Sequence, residues 1–124
     1  MTKLYVVATP IGNLEDVSYR LVRILSEVVL IGAEDTRVTR KLLSRYGIRN
    51  RILSYNDSNQ RERIPQILES LAHGDVALVS DAGTPTLSDP GRELVRAAIA
   101  DGYRVLPIPG PSALTAALAV SGLP

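Results

Sequence analysis

The sequence predicts an α/β fold, with three αβα layers built around a five-stranded, mainly parallel sheet. Short apolar runs alternate along the chain with longer stretches of helical periodicity, an order typical of βαβ units. The short runs are apolar throughout, as expected for strands whose two faces are both covered by helices. The predicted strands are Leu4–Ala8, Val28–Ala33, Arg51–Ser54, Val76–Ser80 and Arg104–Ile108.

Two helices are predicted between the first three strands. Asp16 is the expected N-cap of the first helix, because apolar residues recur on one helical face after it. These apolar residues are Val17, Leu21, Ile24, Leu25 and Val28. The second helix, Thr36–Tyr46, is short and basic. We expect Leu42 and Leu43 to face inward and Gly47 to end this helix.

Three helices are predicted in the second half of the chain. The first is Glu62–Ala72, where Pro65 is expected in the first turn, a place that tolerates a missing N–H. A long loop, Asp81–Pro90, then leads into a helix at Gly91–Ala100. The last predicted helix is Ser112–Val120, which follows a Pro-Gly-Pro turn.

Composition narrows the possible classes of protein. The 124 residues suffice for one domain, and 45% hydrophobic with 22% charged residues is typical of a globular protein. Cysteine is absent, which excludes disulfides and thiolate metal sites. No residue cluster has metal-ligand spacing, and the single histidine, His73, lies in a predicted turn. The apolar run Leu4–Ala8 is too short for a signal-peptide core or a membrane span, so we expect a cytoplasmic protein.

The positive charge of the chain is concentrated in one segment. Eight of the 14 lysines and arginines lie there, opposed only by Asp57 and Glu62: Arg37, Arg40, Lys41, Arg45, Arg49, Arg51, Arg61 and Arg63. A polyanion-binding surface needs this kind of asymmetry. The alternative is a solvated helix and loop that happen to be rich in arginine.

Three loops that follow predicted strands are rich in Gly and Pro: Thr9–Asn13, Ser80–Gly91 and Pro107–Ala113. The carboxyl ends of parallel strands share one edge of the sheet, and ligands bind at that edge. Pro-Gly turns fix backbone N–H and C=O groups without side-chain bulk, which suits a small, flat, polar ligand such as a nucleoside. The dinucleotide motif G-x-G-x-x-G and the phosphate-loop motif are both absent.

Five motifs together resemble those of the ribosomal RNA small-subunit methyltransferase I family, within the tetrapyrrole methylase superfamily. They are Thr9–Asn13, Glu34–Arg37, Ser80–Pro85, Ser88–Gly91 and Pro107–Ala113. The resemblance covers nearly all of the chain, with the motifs in order and at matching spacing. It implies transfer of a methyl group from S-adenosylmethionine to the ribose 2′-oxygen of a cytidine in the 16S RNA of the small ribosomal subunit. It also implies a homodimer of two-domain subunits, of which residues 1–124 would form the N-terminal, cofactor-binding domain, with the second domain absent from this chain.

The resemblance implies that two of the loops hold the cofactor through their backbone, while Gly12 and Asn13 lie near the methyl group or the target. The residues expected at the cofactor are Pro10, Gly12, Asn13, Asp81, Ala82, Gly83, Pro109, Gly110, Ser112 and Ala113. For Asp81, a simple role in the turn is an equal alternative.

Two acidic residues follow the second strand at the same edge. Glu34 is a candidate to accept the hydroxyl proton or to position the ribose, whereas Asp35 is favoured as the N-cap of the basic helix. The basic segment after them would contact RNA, mostly at phosphates. The residues assigned to RNA are Arg37, Arg40, Lys41 and Arg45.

The chain departs from the family pattern after the third strand. There the family often carries a histidine before an asparagine and a glutamate after it, where this chain has the run 55–60, YNDSNQ. Val38 also stands at a position that is often polar. Two alternatives stay open: methylation of a precorrin-type tetrapyrrole, which usually goes with a GxGPG first loop, and a non-catalytic module that binds nucleotides or RNA.

Overall fold

The structure is a computed structural model that describes residues 2–7, 9, 14–79, 89–109 and 122. Predicted features at other positions, including the helix at 112–120, lie outside the described residues. The described elements, in chain order, are β1 Lys3–Val7, α1 Tyr19–Glu27, β2 Leu30–Ala33, α2 Thr36–Arg45, β3 Ile52–Ser54, α3 Gln60–Leu71, β4 Val76–Val79, α4 Asp89–Ala100 and β5 Arg104–Ile108.

The five strands form one sheet in the order β3-β2-β4-β1-β5, and all four pairings are parallel. Strand β4 lies at the centre between β2 and β1, whereas β3 and β5 form the two sides. The predicted α/β class and five-stranded parallel sheet are therefore confirmed.

Helices cover both faces of the sheet, as the apolar strands predicted. Side chains alternate between faces along a strand, so neighbouring strand residues enter different cores. One core joins Val7, Ile31 and Val79 to buried residues of α1 and α2. The other core joins Leu4 and Leu78 to buried residues of α3 and α4. Each core lies between the sheet and one layer of helices, which gives the predicted three-layer αβα arrangement.

The first helix begins two residues later than predicted. Asp16 is exposed, and the N-cap is Ser18, whose hydroxyl accepts a hydrogen bond from the Leu21 N–H at 3.0 Å. Both residue types cap helices well, so local chemistry alone does not separate the two positions. At the other end, Val28 terminates α1 through an N–H bond to the Ile24 carbonyl, and therefore does not start β2 as predicted.

The third helix begins two residues earlier than predicted, at Gln60. The N–H groups of Glu62 and Arg63 both donate to the Asn59 carbonyl, at 3.1 and 3.0 Å, so helical bonding starts directly after Asn59. The placement of Pro65 in the first turn is consequently wrong, because Pro65 is the sixth helical residue. Its ring leaves the Arg61 carbonyl without the usual helical donor.

Helix α2 agrees with its predicted signals, whereas the start of α4 differs from its predicted position. Leu42 and Leu43 of α2 are buried, and Gly47 after this helix has a positive φ of 65°, which confirms the predicted stop. Helix α4 starts at Asp89, two residues before the predicted Gly91, so Pro90 lies in its first turn, where no donor is needed.

Candidate functional site at the carboxyl ends of the strands

The last residues of all five strands form one row across the sheet. Ser54 pairs with Ala33, Ala33 with Val79, Val79 with Val7 and Val7 with Ile108. Each following loop therefore starts at the same level, and this side of the sheet is called the carboxyl edge below. The row places the segments after the strands next to one another, as the parallel topology requires.

The three Pro/Gly-rich loops follow three neighbouring strands, β4, β1 and β5. Adjacent strands are about 4.8 Å apart, so the three loops start within about 10 Å of one another. Thr9 is buried at the start of the first loop, and Pro109 is exposed at the start of the third. The other residues predicted at the cofactor lie outside the described residues: Pro10, Gly12, Asn13, Asp81, Ala82, Gly83, Gly110, Ser112 and Ala113.

Asp35 caps α2, as predicted. Its Oδ1 accepts a hydrogen bond from the Arg37 N–H at 2.9 Å and lies 3.5 Å from the Arg37 Nε. These hydrogen bonds, first that from the backbone and then that from the side chain, lower the pKa of Asp35 below its ordinary value of 3.8. Glu34 is exposed and follows β2, the strand beside β4. Its carboxylate therefore belongs to the carboxyl edge, one strand away from the loop after β4.

A network of short polar side chains follows β3 at the same edge. Asn56 Oδ1 accepts from the N–H groups of Ser58 and Asn59, at 3.0 and 3.2 Å. In return, Asn59 Oδ1 accepts from the Asn56 N–H at 2.8 Å, and Asn59 Nδ2 donates to Ser54 Oγ at 3.1 Å. Sequence reasoning missed this network, although Asn and Ser after a strand are signals for such turns. It is formed by the run after β3 at which the sequence departs from the expected family pattern.

Tyr55 anchors this turn in the core beneath it. Its side chain is 1% exposed among residues of α3 and α4, and its N–H donates to the Ala33 carbonyl at 2.8 Å. Burial raises the pKa of the Tyr55 hydroxyl to about 12, so it stays protonated at neutral pH. We therefore assign Tyr55 a packing role rather than a role as a base.

Some basic side chains of this segment interact with other residues of the protein, and others form no ion pair. Arg37 pairs with Asp35, the Arg45 guanidinium lies 5.2 Å from the centre of the Tyr46 ring, and Arg63 Nε donates to the Ser54 carbonyl at 3.1 Å. Within the part of the chain that the structure describes, the other five have no ion pair within 4.0 Å: Arg40, Lys41, Arg49, Arg51 and Arg61. Four of these five lie on α2 or on the connection from α2 to β3.

The described residues show neither a metal-ligand cluster nor a membrane-spanning helix. They contain no group of three or more histidine, aspartate or glutamate side chains able to hold a metal ion. Among the same residues, no helix is long and apolar enough to cross a membrane.

Comparison with known proteins identifies the family. Residues 3–124 match the sequence model of the family described as Tetrapyrrole (Corrin/Porphyrin) Methylases. The chain belongs to this methylase family. The match spans almost the whole chain, including all three Pro/Gly-rich loops.

Curated relatives within the family are similar in sequence over nearly all of the chain. Ribosomal RNA small subunit methyltransferase I of Mesorhizobium japonicum is 55% identical over 98% of this chain and 42% of its own length. The protein of the same name from Thermotoga maritima is 54% identical over 100% of the chain and 56% of its own length. The resemblance predicted from the five motifs is thus confirmed, and the chain spans about half the length of these relatives.

Solved structures of more distant proteins share the fold. A putative cobalamin synthesis related protein from Corynebacterium diphtheriae has a TM-score of 0.74 at 18% identity, over 100% of this chain and 59% of its own. Uroporphyrin III C-methyl transferase from Thermus thermophilus has a TM-score of 0.66 at 24% identity, over 100% of this chain and 53% of its own. At these identities the likeness concerns the fold alone.

Proposed function

We propose that this protein is an S-adenosylmethionine-dependent methyltransferase that acts on the ribose 2′-oxygen of a cytidine in small-subunit ribosomal RNA. The observation that carries the proposal is the start of three Pro/Gly-rich loops on the neighbouring strands β4, β1 and β5. Relatives named ribosomal RNA small subunit methyltransferase I, at 48–57% identity, support RNA as the substrate. The basic segment beside the same edge supplies the charge that an RNA substrate requires.

The carboxyl edge suits the cofactor by its chemistry. Loops of Gly and Pro expose backbone donors and acceptors at close range, which matches the flat polar adenosine and the charged amino acid part of the cofactor. In this proposal, the residues around Asp81–Gly83 and Pro109–Ala113 hold the cofactor. The residues Pro10, Gly12 and Asn13 belong to the loop that follows β1, and β1 is the strand between β4 and β5.

Methyl transfer to a hydroxyl is an in-line displacement. When bound, S-adenosylmethionine supplies a methyl group that is already activated by its positive sulfur. The residues of this chain have to hold the ribose oxygen in line with the methyl carbon and accept the hydroxyl proton. We assign the proton to Glu34, because this exposed carboxylate follows β2, directly beside the loop after β4. Arg37, Arg40, Lys41 and Arg45 then contact the RNA phosphates.

The complete protein is proposed to be larger than this domain. A second domain, as the motif resemblance implies, would close the other side of the cofactor cleft, and the subunits would form a homodimer in the cytoplasm. A half-open cleft leaves the ligand hydrated and poorly aligned, so the 124-residue chain alone is expected to fold but not to catalyse.

Methylation of a tetrapyrrole is the second candidate, since the family description names corrin and porphyrin methylases. A tetrapyrrole gives no reason for the basic segment. A direct test incubates the full-length protein and labelled S-adenosylmethionine with small ribosomal subunits or with a precorrin-type substrate. Label in the RNA, in an alkali-resistant dinucleotide that marks a 2′-O-methylated cytidine, is the expected result. Label in the tetrapyrrole alone would contradict the proposal.

A further inference from the structure

A cleft of about 390 Å³ lies between α2 and the side strand β3, away from the loops at the carboxyl edge. Leu43 of α2 and Ile52 of β3 contribute its apolar lining. Arg40 and Ser44 of α2 line it from one side, and Arg49 lines it from the connection to β3. The cleft thus combines two guanidinium groups and one hydroxyl around a small hollow.

Charge in this cleft is uncompensated. None of its lining residues is acidic, and neither Arg40 nor Arg49 has an ion pair within 4.0 Å among residues 2–7, 9, 14–79, 89–109 and 122. Two neighbouring guanidinium groups without a carboxylate repel one another, and an anion between them relieves this repulsion. Guanidinium groups also match the geometry of a phosphate through paired N–H donors.

The segment that carries Arg49 is held in place by its neighbour. Asn50 Nδ2 donates to the carbonyls of Leu25 and Val28, at 2.9 and 2.7 Å, and its Oδ1 accepts from the Arg51 N–H at 2.7 Å. Because all three contacts are to the backbone, they fix the path of the chain after α2. This ordering positions Arg49 against α2 before any ligand arrives, which lowers the entropy lost on binding.

The opposite side of β3 offers a useful comparison. A cleft of about 470 Å³ there is lined by Arg51, Arg63, Glu69 and His73, among others. Glu69 opposes the positive charge, and Arg63 already donates to the Ser54 carbonyl and to Gln66 Oε1. Charge complementarity with an anion therefore favours the α2 side of the strand.

We propose that the cleft between α2 and β3 binds one phosphodiester of the RNA substrate, with Arg40 and Arg49 as the paired donors and Ser44 as a third. This inference rests on the proposed function and adds Arg49 to the surface predicted from the sequence. Helix α2 starts at the carboxyl edge, and its ten residues span about 15 Å. The cleft near its end therefore anchors RNA that flanks the methylated nucleotide, away from the reacting ribose.

The test compares two double variants of the full-length protein. Arg40→Gln/Arg49→Gln removes the proposed contacts, and Arg20→Gln/Arg104→Gln removes the same charge from α1 and β5. Binding to a single-stranded RNA that spans the target is measured over a series of salt concentrations. Loss of two phosphate contacts should lower the slope of log affinity against log salt by about 1.4, and the control should keep the wild-type slope.

Two further measurements separate this inference from the proposed function. Arg40→Lys/Arg49→Lys should keep the wild-type salt slope, and cofactor binding by calorimetry should be equal in all variants. An unchanged slope in Arg40→Gln/Arg49→Gln, or an equal fall in the control, would overturn the inference even if wild-type protein methylates RNA. A selective fall in slope would uphold the cleft even if wild-type protein methylates no RNA, a result that would refute only the proposed function.

Discussion

Around the interior strands β2, β4 and β1, the two edges of the sheet use their polar residues differently. At the amino edge, where the strands begin, polar groups bind one another: the Lys3 N–H donates to Asp75 Oδ1 at 2.8 Å, and the Val29 N–H donates to the Asp75 carbonyl at 2.8 Å. At the carboxyl edge, Glu34 is exposed and three Pro/Gly-rich segments follow adjacent strands. We therefore propose that the carboxyl edge of these strands binds the cofactor, whereas the amino edge contributes to stability.

Packing at the amino edge supports the same division. A Cβ added to Gly74 would lie 2.4 Å from Val29 Cγ1, so the Val29 side chain, just before β2, would have to shift to admit it. Lys3 and Asp75 also form an ion pair, with Nζ and Oδ2 3.8 Å apart. Substitutions of Gly74, Lys3 or Asp75 should therefore change the free energy of unfolding, whereas substitutions in the three Pro/Gly-rich loops should change cofactor binding.

The largest expected effect is on cofactor binding. Gly83→Val or Gly110→Val in the full-length protein should weaken S-adenosylmethionine binding by about 100-fold, or about 2.8 kcal/mol, because a side chain blocks close backbone approach. Both residues belong to the loops after β4 and β5, outside the described residues. Calorimetry gives the affinity, and thermal melting checks that the fold persists. Wild-type affinity in both variants would show that these loops are only turns.

A second large effect concerns RNA. Reversing Arg40, Lys41 and Arg45 together to glutamate should lower the salt dependence of RNA binding by about two units of slope, if each contacts one phosphate. Cofactor affinity should stay at the wild-type value, because these three side chains are exposed on α2, which packs most closely against β3. A filter-binding titration measures the slope. An unchanged slope would mean that these side chains are exposed to solvent and do not contact RNA.

The matching substitution at the amino edge is Gly74→Ala. The added methyl group contacts Val29, which is exposed and can shift, so we expect the free energy of unfolding to fall by about 1 kcal/mol, with cofactor affinity unchanged. Urea denaturation measures the loss. The double variant Gly74→Ala/Val29→Ala removes the clash. Its loss of unfolding free energy should therefore be smaller than the sum of the losses in the two single variants. Simple additivity of the two changes would argue against the contact.

The smallest effect is expected at the cap of α2. The folded-state pKa of Asp35 is lowered below 3.8, so its contribution to stability is present above 3.8 and is lost as the pH falls through the folded pKa. Asp35→Asn keeps a capping side chain but cannot titrate, and so should show a weaker loss of stability in acid. Unfolding midpoints at neutral and acidic pH measure the difference. Equal acid sensitivity of the wild-type protein and Asp35→Asn would show that titration of Asp35 does not affect stability.

The sequence predicted the fold better than the details of the site. Apolar runs such as Val76–Val79 are easily assigned to strands, because a strand that is buried on both faces needs apolar residues at every position. The start of α1 was misplaced because Asp16 and Ser18 are both good caps, and the helix uses Ser18, whose hydroxyl accepts from the Leu21 N–H. Pro65 was misplaced because the turn at Asn59, which starts α3, depends on hydrogen bonds that no periodicity reveals.

Within the site, contacts between residues close in sequence were predictable, and contacts between distant parts of the chain were not. The Asp35 cap joins residues two positions apart and followed from helix-capping rules. The order of the sheet, which brings the three loops onto neighbouring strands, depends on long-range pairing. Likewise, the burial of Tyr55 depends on α4, whose Leu94 is nearly forty residues away.

Hydrogen exchange of the full-length protein, with and without S-adenosylmethionine, tests the division between the edges most directly. The account predicts that the cofactor slows exchange in segments 8–13, 80–88 and 109–113, and leaves the turns at 72–75 and 101–103 unchanged. Slower exchange at 72–75, with none at 8–13 or 80–88, would place the ligand at the amino edge and contradict the account.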